Sequence, residues 1–253
     1  MLRVSPAPLA LLLLAACGIG EVKVTGVVTR SPDPKASSLS GATVAILDQK
    51  GVPYDSTTTL SNGGFTVMAP PGQHIFALIT NDDGVTSSFT GISGTHATLN
   101  IDRGNLYGVP ASLLDDWRTQ FTGCPDIDTG VLLVGRVRVY LYNDANGDGK
   151  NDYQASDLPI ITTASVHLED PAGQIVDRTA CYLDPATNLY DSGLDQTGDT
   201  GWYAIGDVPA GEHILVIHTL VSQGVYQDSY LTVWVPPSGV VARIPTYVEF
   251  PTF

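Results

Sequence analysis

Basic residues are scarce in this chain: 12 Lys and Arg stand against 26 Asp and Glu over 253 residues, a formal net charge of -14. A nucleic acid or an anionic lipid face would need a basic patch to neutralise phosphate charge, and no such patch is present. No nucleic-acid partner is therefore expected, while cation binding stays open. Cysteine is scarcer still, at three residues. Cys124 and Cys181 lie far apart with no companion His or Cys near either, so a zinc-type site lacks its ligand set. The apolar run Leu9 to Ala16 is too short to span a bilayer. Signatures of catalysis are missing as well: no H-E-x-x-H, no G-x-S-x-G and no glycine-rich phosphate loop occurs. No enzyme activity is expected.

What is present begins at the N-terminus. Arg3, the apolar run and small residues leading into Cys17 read as a processed signal, which is left out of fold reasoning. Leu14-Ala15-Ala16-Cys17 resembles the lipobox of bacterial lipoproteins. That resemblance implies cleavage before Cys17, a diacylated cysteine there, and attachment to a lipid bilayer through buried acyl methylenes. Gly18 follows in place of the aspartate that marks inner-membrane retention in many members, which implies the outer membrane of a bacterial envelope. Residues 1–16 are thus read as signal peptide and 17–21 as lipid anchor and tether. With Cys17 assigned to lipid, Cys124 and Cys181 remain as an even pair in an oxidising compartment, and a disulfide is expected.

Gly 26 and Pro 17, with Val, Ile, Thr and Tyr in short runs, describe many strands joined by turns, hence an all-β chain. One unit occurs twice. Gly63-Gly64-Phe65-Thr66-Val67 leads to Pro71-Gly72-Gln73-His74, and Gly201-Trp202-Tyr203-Ala204-Ile205 leads to Pro209-Ala210-Gly211-Glu212-His213. Each ends in an apolar strand, Ile75 to Ile79 or Ile214 to Ile217. Upstream, Val22 to Thr29 and Val131 to Tyr142 are opening strands containing Gly26 and Gly135. Each is followed by a period-two strand, with Ala42, Val44 and Ile46 or Ala164, Val166 and Leu168 on one face. Two copies of the pattern predict two copies of a domain, each a small antiparallel β-sandwich because one apolar face per sheet must be covered. The predicted units are 22–109 and 131–253, with 110–130 a linker. In that linker Leu113, Leu114, Trp117 and Phe121 have helical spacing after a Ser112 cap, which predicts one short inter-domain helix packed on a sandwich or at the junction. Tyr230 to Val235 and Val240 to Phe250 are read as closing strands.

Leu39-Ser40-Gly41-Ala42-Thr43-Val44-Ala45-Ile46 and Leu60-Ser61-Asn62-Gly63-Gly64-Phe65-Thr66-Val67 follow a pattern L-x-G-A-x-V-x-I, then T-x-x-x-G-x-F-x-V-x-x-x-P-G. This resembles the carboxypeptidase regulatory-like and Cna-B-like family of prealbumin-type β-sandwiches, and covers most of residues 22–80 and 131–220. The resemblance implies a non-catalytic accessory or stalk module of bacterial surface proteins. Prealbumin-like sandwiches also include iron-dependent ring-cleaving dioxygenases, but two histidines one residue apart, as such iron sites use, occur nowhere here. An intramolecular Lys–Asn crosslink, found in some Cna-B-like domains, is not expected in the second unit, whose only lysine is Lys150.

Between the first two strands of the second unit, Asp144, Asn146, Asp148 and Asp152 place oxygen side chains at alternating positions around Gly149, and Lys150 offers a carbonyl. A hard cation takes six or more such oxygens, so structural calcium is expected. The loop is no EF-hand, since the twelfth position from Asp144 is Ala155 where a bidentate Glu is needed. Calcium loops of Cna-B-like modules are similar and complete their shell with a later acid, for which Asp157 is the candidate. The counter-reading is a solvated acidic turn, whose exposed repulsion is cheap at physiological salt.

Two functional classes follow. A structural or stalk module in a cell-envelope assembly is favoured by the repeat, anchor, calcium-like loop and disulfide. A module that binds a glycan or a protein partner gains from Trp202 and Trp234, and from Tyr190, Tyr226 and Tyr230, which look exposed. Trp202 and Trp234 on one open face would favour binding; burial of both would favour the structural class. Tyr203 alternates with Trp202, so one of the two faces the core.

Overall fold

The computed structural model describes residues 22–30, 36–48, 50–71, 74–81, 86–93, 101–121, 123–127, 130–139, 158–222 and 225–248. Alternating apolar residues set the strands of the first half: β1 (Val22–Thr29), β2 (Thr43–Leu47), β3 (Pro53–Thr58), β4 (Gly64–Ala69), β5 (His74–Thr80), β6 (Thr86–Ser93) and β7 (Ile101–Tyr107). Val24, Val44, Ile46, Phe65, Val67, Ile75, Ile79 and Leu106 meet in one core between sheets β4-β1-β7 and β6-β5-β2-β3. A fully buried Val, Ile or Phe stabilises by roughly 1.5–3 kcal/mol against about 1 kcal/mol net for a ladder hydrogen bond, so the inward face decides which way each strand turns.

The second half repeats the plan with β8 (Val131–Val139), β9 (Ala164–Glu169), β10 (Ala180–Asp184), β11 (Leu189–Asp191), β12 (Trp202–Val208), β13 (Gly211–Ser222), β14 (Val225–Val235) and β15 (Val240–Val248). Its core joins Leu133, Val137, Val166, Leu168, Tyr203, Ile205, Leu215, Ile217, Val233 and Val235 between sheets β11-β10-β12-β8-β15 and β14-β13-β9. The architecture is all-β, a pair of tandem small sandwiches with one short helix between them. Pairing is antiparallel throughout each half except that its first and last strands run parallel, β1 with β7 and β8 with β15.

The duplication extends to register. Gly26 faces Phe65 and Val24 faces Val67 across β1 and β4; Gly135 faces Tyr203 and Leu133 faces Ile205 across β8 and β12. A Cβ on Gly135 would lie 2.2 Å from the Tyr203 hydroxyl, so the ring folds over the glycine and no other residue fits. Gly63 and Gly201, two residues before the aromatic, both take positive φ (75° and 71°) and accept a hydrogen bond from the N–H of Val28 or Val137.

One part of the shared pattern acquires a physical reason only in three dimensions. The Thr59 hydroxyl donates to Leu39 O (2.7 Å) and accepts from Ala42 N–H (3.0 Å); the Thr197 hydroxyl donates to Ile161 O (2.7 Å) and accepts from Ala164 N–H (3.3 Å). Both threonines are buried, and their own amides donate to Ala42 O and Ala164 O. Each ties down the segment entering β2 or β9, where backbone groups would otherwise be buried without partners.

The halves differ at one strand. In the first, β3 extends β2; in the second, the corresponding stretch forms β10 and β11 beside β12, on the opposite sheet. They are also joined, because β15 pairs in parallel with β6 as well as with β8, through Val240↔Ser87 and Val241↔Ser88. This makes a nine-stranded sheet that runs from β11 to β3.

Helix α1 (Ala111–Gln120) covers the outer face of the second-half sheet. Leu114 and Phe121 are buried there with Leu132, Val134, Ala204 and Val240, while Leu113 and Trp117 pack partly against them. With a core on each side, Val131 to Gly135 are all buried, which is why that strand reads as an unbroken apolar run. Ser112 does not cap the helix: Pro110 is the N-cap residue and no side chain caps the end, because the helix starts one residue before the serine. Among the described residues no helix is long and apolar enough to cross a membrane.

Replacing Thr59 or Thr197 with Val keeps the shape and removes two hydrogen bonds in the interior. Each substitution is expected to cost roughly 1–3 kcal/mol in denaturant unfolding, and the pair should be close to additive because they sit in separate cores. A loss below about 0.5 kcal/mol in either would show that the hydroxyl is dispensable.

Candidate functional site

The residues expected to carry function fall into three groups. Cys17 and the whole acidic loop, with Asp144, Asn146, Asp148, Lys150, Asp152 and Asp157, lie outside the described residues. The points where that loop leaves and rejoins the sandwich are described. Val139 N–H donates to Pro159 O at 2.9 Å, Arg138 bridges to Ile160, and the buried Arg138 guanidinium donates to Leu158 O. Both ends of the loop are therefore held together at the foot of β8, which lowers the entropy cost of closing any shell formed within it.

Cys124 and Cys181 are disulfide-bonded, with Cα atoms 6.0 Å apart and 57 residues between them in sequence. Cys181 is buried on β10, and Cys124 follows the helix, where its N–H donates to Phe121 O. Around it Phe121 packs on Tyr190 at 4.3 Å between ring centres, and the Ser192 hydroxyl donates to Gly123 O at 3.0 Å. The bond thus pins the helical linker to the β10–β11 hairpin. Tyr190 is buried here, contrary to its polar surroundings in sequence: the helix end covers it, and burial pushes its phenol well above the ordinary value of 10.0.

Trp202 and Trp234 do not share a face. Tyr203 points into the sandwich core, so Trp202 points outward on β12, half-buried beside the helix core with the Arg136 guanidinium 5.5 Å from its ring centre. Trp234 lies on β14, on the outer face of the other sheet, because its neighbours Val233 and Val235 point inward. It too is half-buried, and its indole rests on Gly51 of the first half.

The same outer face, on β9, β13 and β14, carries the most exposed aromatic residues described. Tyr226 and Tyr230 are 57% and 63% exposed. The Tyr226 ring stacks on His218, 4.6 Å away and within 10° of parallel. His218 Nδ1 is 2.6 Å from Asp228 Oδ1, and His167 Nε2 is 3.3 Å from Glu169 Oε1. Among the described residues no serine, threonine or cysteine hydrogen-bonds either histidine, and no group of His, Cys, Asp and Glu is placed to hold a metal. This outer face offers two open phenol rings flanked by paired polar groups.

His213, one of the two histidines in the repeat, is structural. His213 is buried and its Nε2–H donates to Pro209 O at 2.7 Å, closing the turn from β12 into β13.

Two of the free strand edges, those of β9 and β4, are partly capped by side chains, which blunts them as templates for a passing chain. On β9, which has no outer neighbour, the Val166 N–H donates to the Tyr182 hydroxyl at 2.8 Å, and Leu168 O accepts from Val176 N–H at 2.8 Å. Tyr182 reaches across the sandwich to do this, and burial raises its phenol pKa while the bond from Val166 opposes the rise. On β4 the Met68 N–H donates to Asp55 Oδ2 at 2.8 Å. Tyr182 and Asp55 supply these caps and nothing in the sequence marks them, whereas the buried threonine is hinted at by its recurrence four residues before Gly63 and Gly201.

No protein-family model matches the chain, and no curated protein sequence is similar to it. Solved structures that align with it include the minor pilin GBS52 of Streptococcus agalactiae, 14% identical over 91% of this chain and 97% of that one, with a TM-score of 0.29. The shaft pilin SpaA of Lactobacillus rhamnosus GG aligns at 10% identity over 92% and 100% with a TM-score of 0.25. The Bacillus anthracis TIE protein aligns at 10% identity over 90% of this chain with a TM-score of 0.25, and the chain spans 34% of its length.

Removing the disulfide by Cys124→Ala/Cys181→Ala is expected to cost about 2–4 kcal/mol, from the loop entropy released to the unfolded chain. Thermal melting should fall by about 4–16 °C. An unchanged melting curve for the oxidised protein and the double variant would mean that the linker is held by packing alone.

Proposed function

We propose that this chain is a lipid-anchored, non-catalytic structural module of a bacterial cell-envelope assembly, stiffened by calcium in the loop 143–157. The observation that supports this reading most is the second construction of one sandwich on the plan of the first, with the same buried threonine lock and the same glycine–aromatic pair. Selection for shape accounts for such repetition better than selection for a single reactive centre. Side-chain caps on the β9 and β4 edges and a disulfide from the linker to the second sandwich serve the same end, and the disulfide suits an oxidising compartment outside the cytoplasm. Leu14-Ala15-Ala16-Cys17 supports the lipid anchor, with envelope or surface proteins as partners. For calcium the support is the donor set: Asp144, Asn146, Asp148, the Lys150 carbonyl, Asp152 and Asp157 are hard oxygen ligands of the kind that ion takes.

The full chain expressed in a Gram-negative host should take up labelled palmitate and fractionate with membranes, and Cys17→Ser should abolish both. Calorimetry on the Cys17→Ser protein should give saturable calcium binding that Asp144→Ala/Asp148→Ala removes, with a lower melting temperature in chelator. Soluble, unlabelled wild-type protein sinks the anchor, and absence of heat at millimolar calcium sinks the metal.

A second reading, binding of a glycan or a protein partner, is favoured by the open rings of Tyr226 and Tyr230. Aromatic stacking of this kind contributes about 0.5–1.5 kcal/mol per ring pair. Under this reading Tyr226→Ala/Tyr230→Ala should weaken retention on immobilised cell-wall polysaccharide or envelope protein at least about fivefold without changing the melting temperature. Equal retention of variant and wild type would remove it.

A further inference from the structure

Tandem domains joined by a linker are free to reorient unless something beyond the linker holds them. In this protein the backbone link between halves is short, the parallel ladder of Val240 and Val241 with Ser87 and Ser88. β14 also runs beside β6 at this edge, so the halves meet along one line, and rotation about that line is what a contact elsewhere must hold. A second contact lies away from it. Six residues before β15 resumes the sheet, Trp234 extends from the outer face of β14 onto the turn between β2 and β3.

That turn is preformed. Asp48 Oδ1 accepts from Lys50 N–H (2.8 Å) and Val52 N–H (2.9 Å), Gly51 N–H donates to Asp48 O (2.9 Å), and Gly51 takes φ of 75°. A Cβ at Gly51 would lie 2.2 Å from Trp234 Nε1, 2.5 Å from Cε2 and 2.8 Å from Cζ2, so the indole lies directly against glycine backbone. Gly51 is therefore needed twice, once for the sign of φ and once for the space the ring occupies. The turn's glycine and the strand's tryptophan come from different halves, and neither is needed by the core of its own half: Gly51 is in a surface turn and Trp234 points away from Val233 and Val235.

We infer that Trp234 is an inter-domain lock: seated on Gly51, it fixes the angle between the two sandwiches and makes the chain one rigid body in place of two units on a hinge. Trp234 is accordingly a positioning residue and not a ligand contact. The inference is independent of lipid anchoring and of calcium.

The test separates loss of the ring's seat from the strain of a side chain at positive φ. Gly41 has nearly the same φ, 79°, but nothing lies within 4 Å of a Cβ placed there. Gly51→Ala and Gly41→Ala should therefore share the backbone cost, and only Gly51→Ala should unseat the indole. In the full chain with Cys17→Ser, acrylamide quenching of tryptophan should rise in Gly51→Ala and stay at the wild-type value in Gly41→Ala. Small-angle scattering should show a larger radius of gyration and a broadened distance distribution for Gly51→Ala and for Trp234→Ala alone. In a Trp234→Ala background, adding Gly51→Ala should lower the melting temperature no more than Gly41→Ala does in wild type. Identical quenching and scattering for Gly51→Ala and Gly41→Ala, or an unchanged scattering profile for Trp234→Ala, would overturn the lock.

Discussion

A sandwich must carry its chain from one sheet to the other, and at each crossing backbone N–H and C=O groups leave one ladder before they join the next. Buried and unpaired, each such group costs about 1–3 kcal/mol. The hydroxyls of Thr59 and Thr197 answer this constraint at the same crossing in both halves, each serving one carbonyl and one amide and adding a backbone pair beside them. The placement of β2 and β9, and through them of β5 and β13, follows from that tie. Serine could supply the oxygen, but threonine's methyl restricts its rotamer and fills space, which suits a fully enclosed site.

Once the crossings are satisfied, the strand edges are the remaining exposed backbone, and each half caps part of one edge, β4 or β9, by different means. In the first, β3 pairs with β2 and lends Asp55 to the amide of Met68 on the opposite sheet. In the second the equivalent stretch has moved to β12, which would leave β9 bare. The Tyr182 hydroxyl, reaching over from the other sheet, takes the Val166 amide that a neighbouring strand would have taken. One strand's change of sheet thus requires a long side chain with a polar tip at a specific place in the core, and Tyr182 meets the requirement while burying its ring.

Much of this was legible because the pattern was local. Period-two alternation located β2 and β9, apolar opening runs located β1 and β8, and the duplicated Gly-x-aromatic unit announced two equivalent domains, since the facing glycine and ring are required by the same close strand contact. What stayed hidden was set by distant partners. Ser87 and Ser88 carry no periodic signal, so nothing in their neighbourhood shows that β6 takes β15 as its partner. Tyr190 sits between Leu189 and Asp191 and looks exposed; only Phe121, brought by the helix and the disulfide, buries it. Trp202 and Trp234 resemble each other as isolated outward tryptophans on strands, yet they belong to different sheets with their outward faces opposed, and alternation alone does not say which sheet a strand joins. Ser112 fails as a cap because proline one residue before the helix already supplies the extended backbone an N-cap needs.

The two unlike tryptophans also separate two roles within one face. On the outer side of β9, β13 and β14, Trp234 at one end of β14 is occupied by the first half, whereas Tyr226 near the other end is turned to solvent on His218. The long β13–β14 hairpin pairs with β9 only from Ile214 to Thr219, so its distal part stands beyond the three-stranded overlap. A rigid hairpin secured at its base and aromatic at its far end has less conformational freedom to lose on engaging a partner than a loop of equal length. Rigidity and recognition are then not competing readings of this fold: the contact that removes hinge motion at Trp234 is also what would hold Tyr226 and Tyr230 at a constant height and angle relative to the first half.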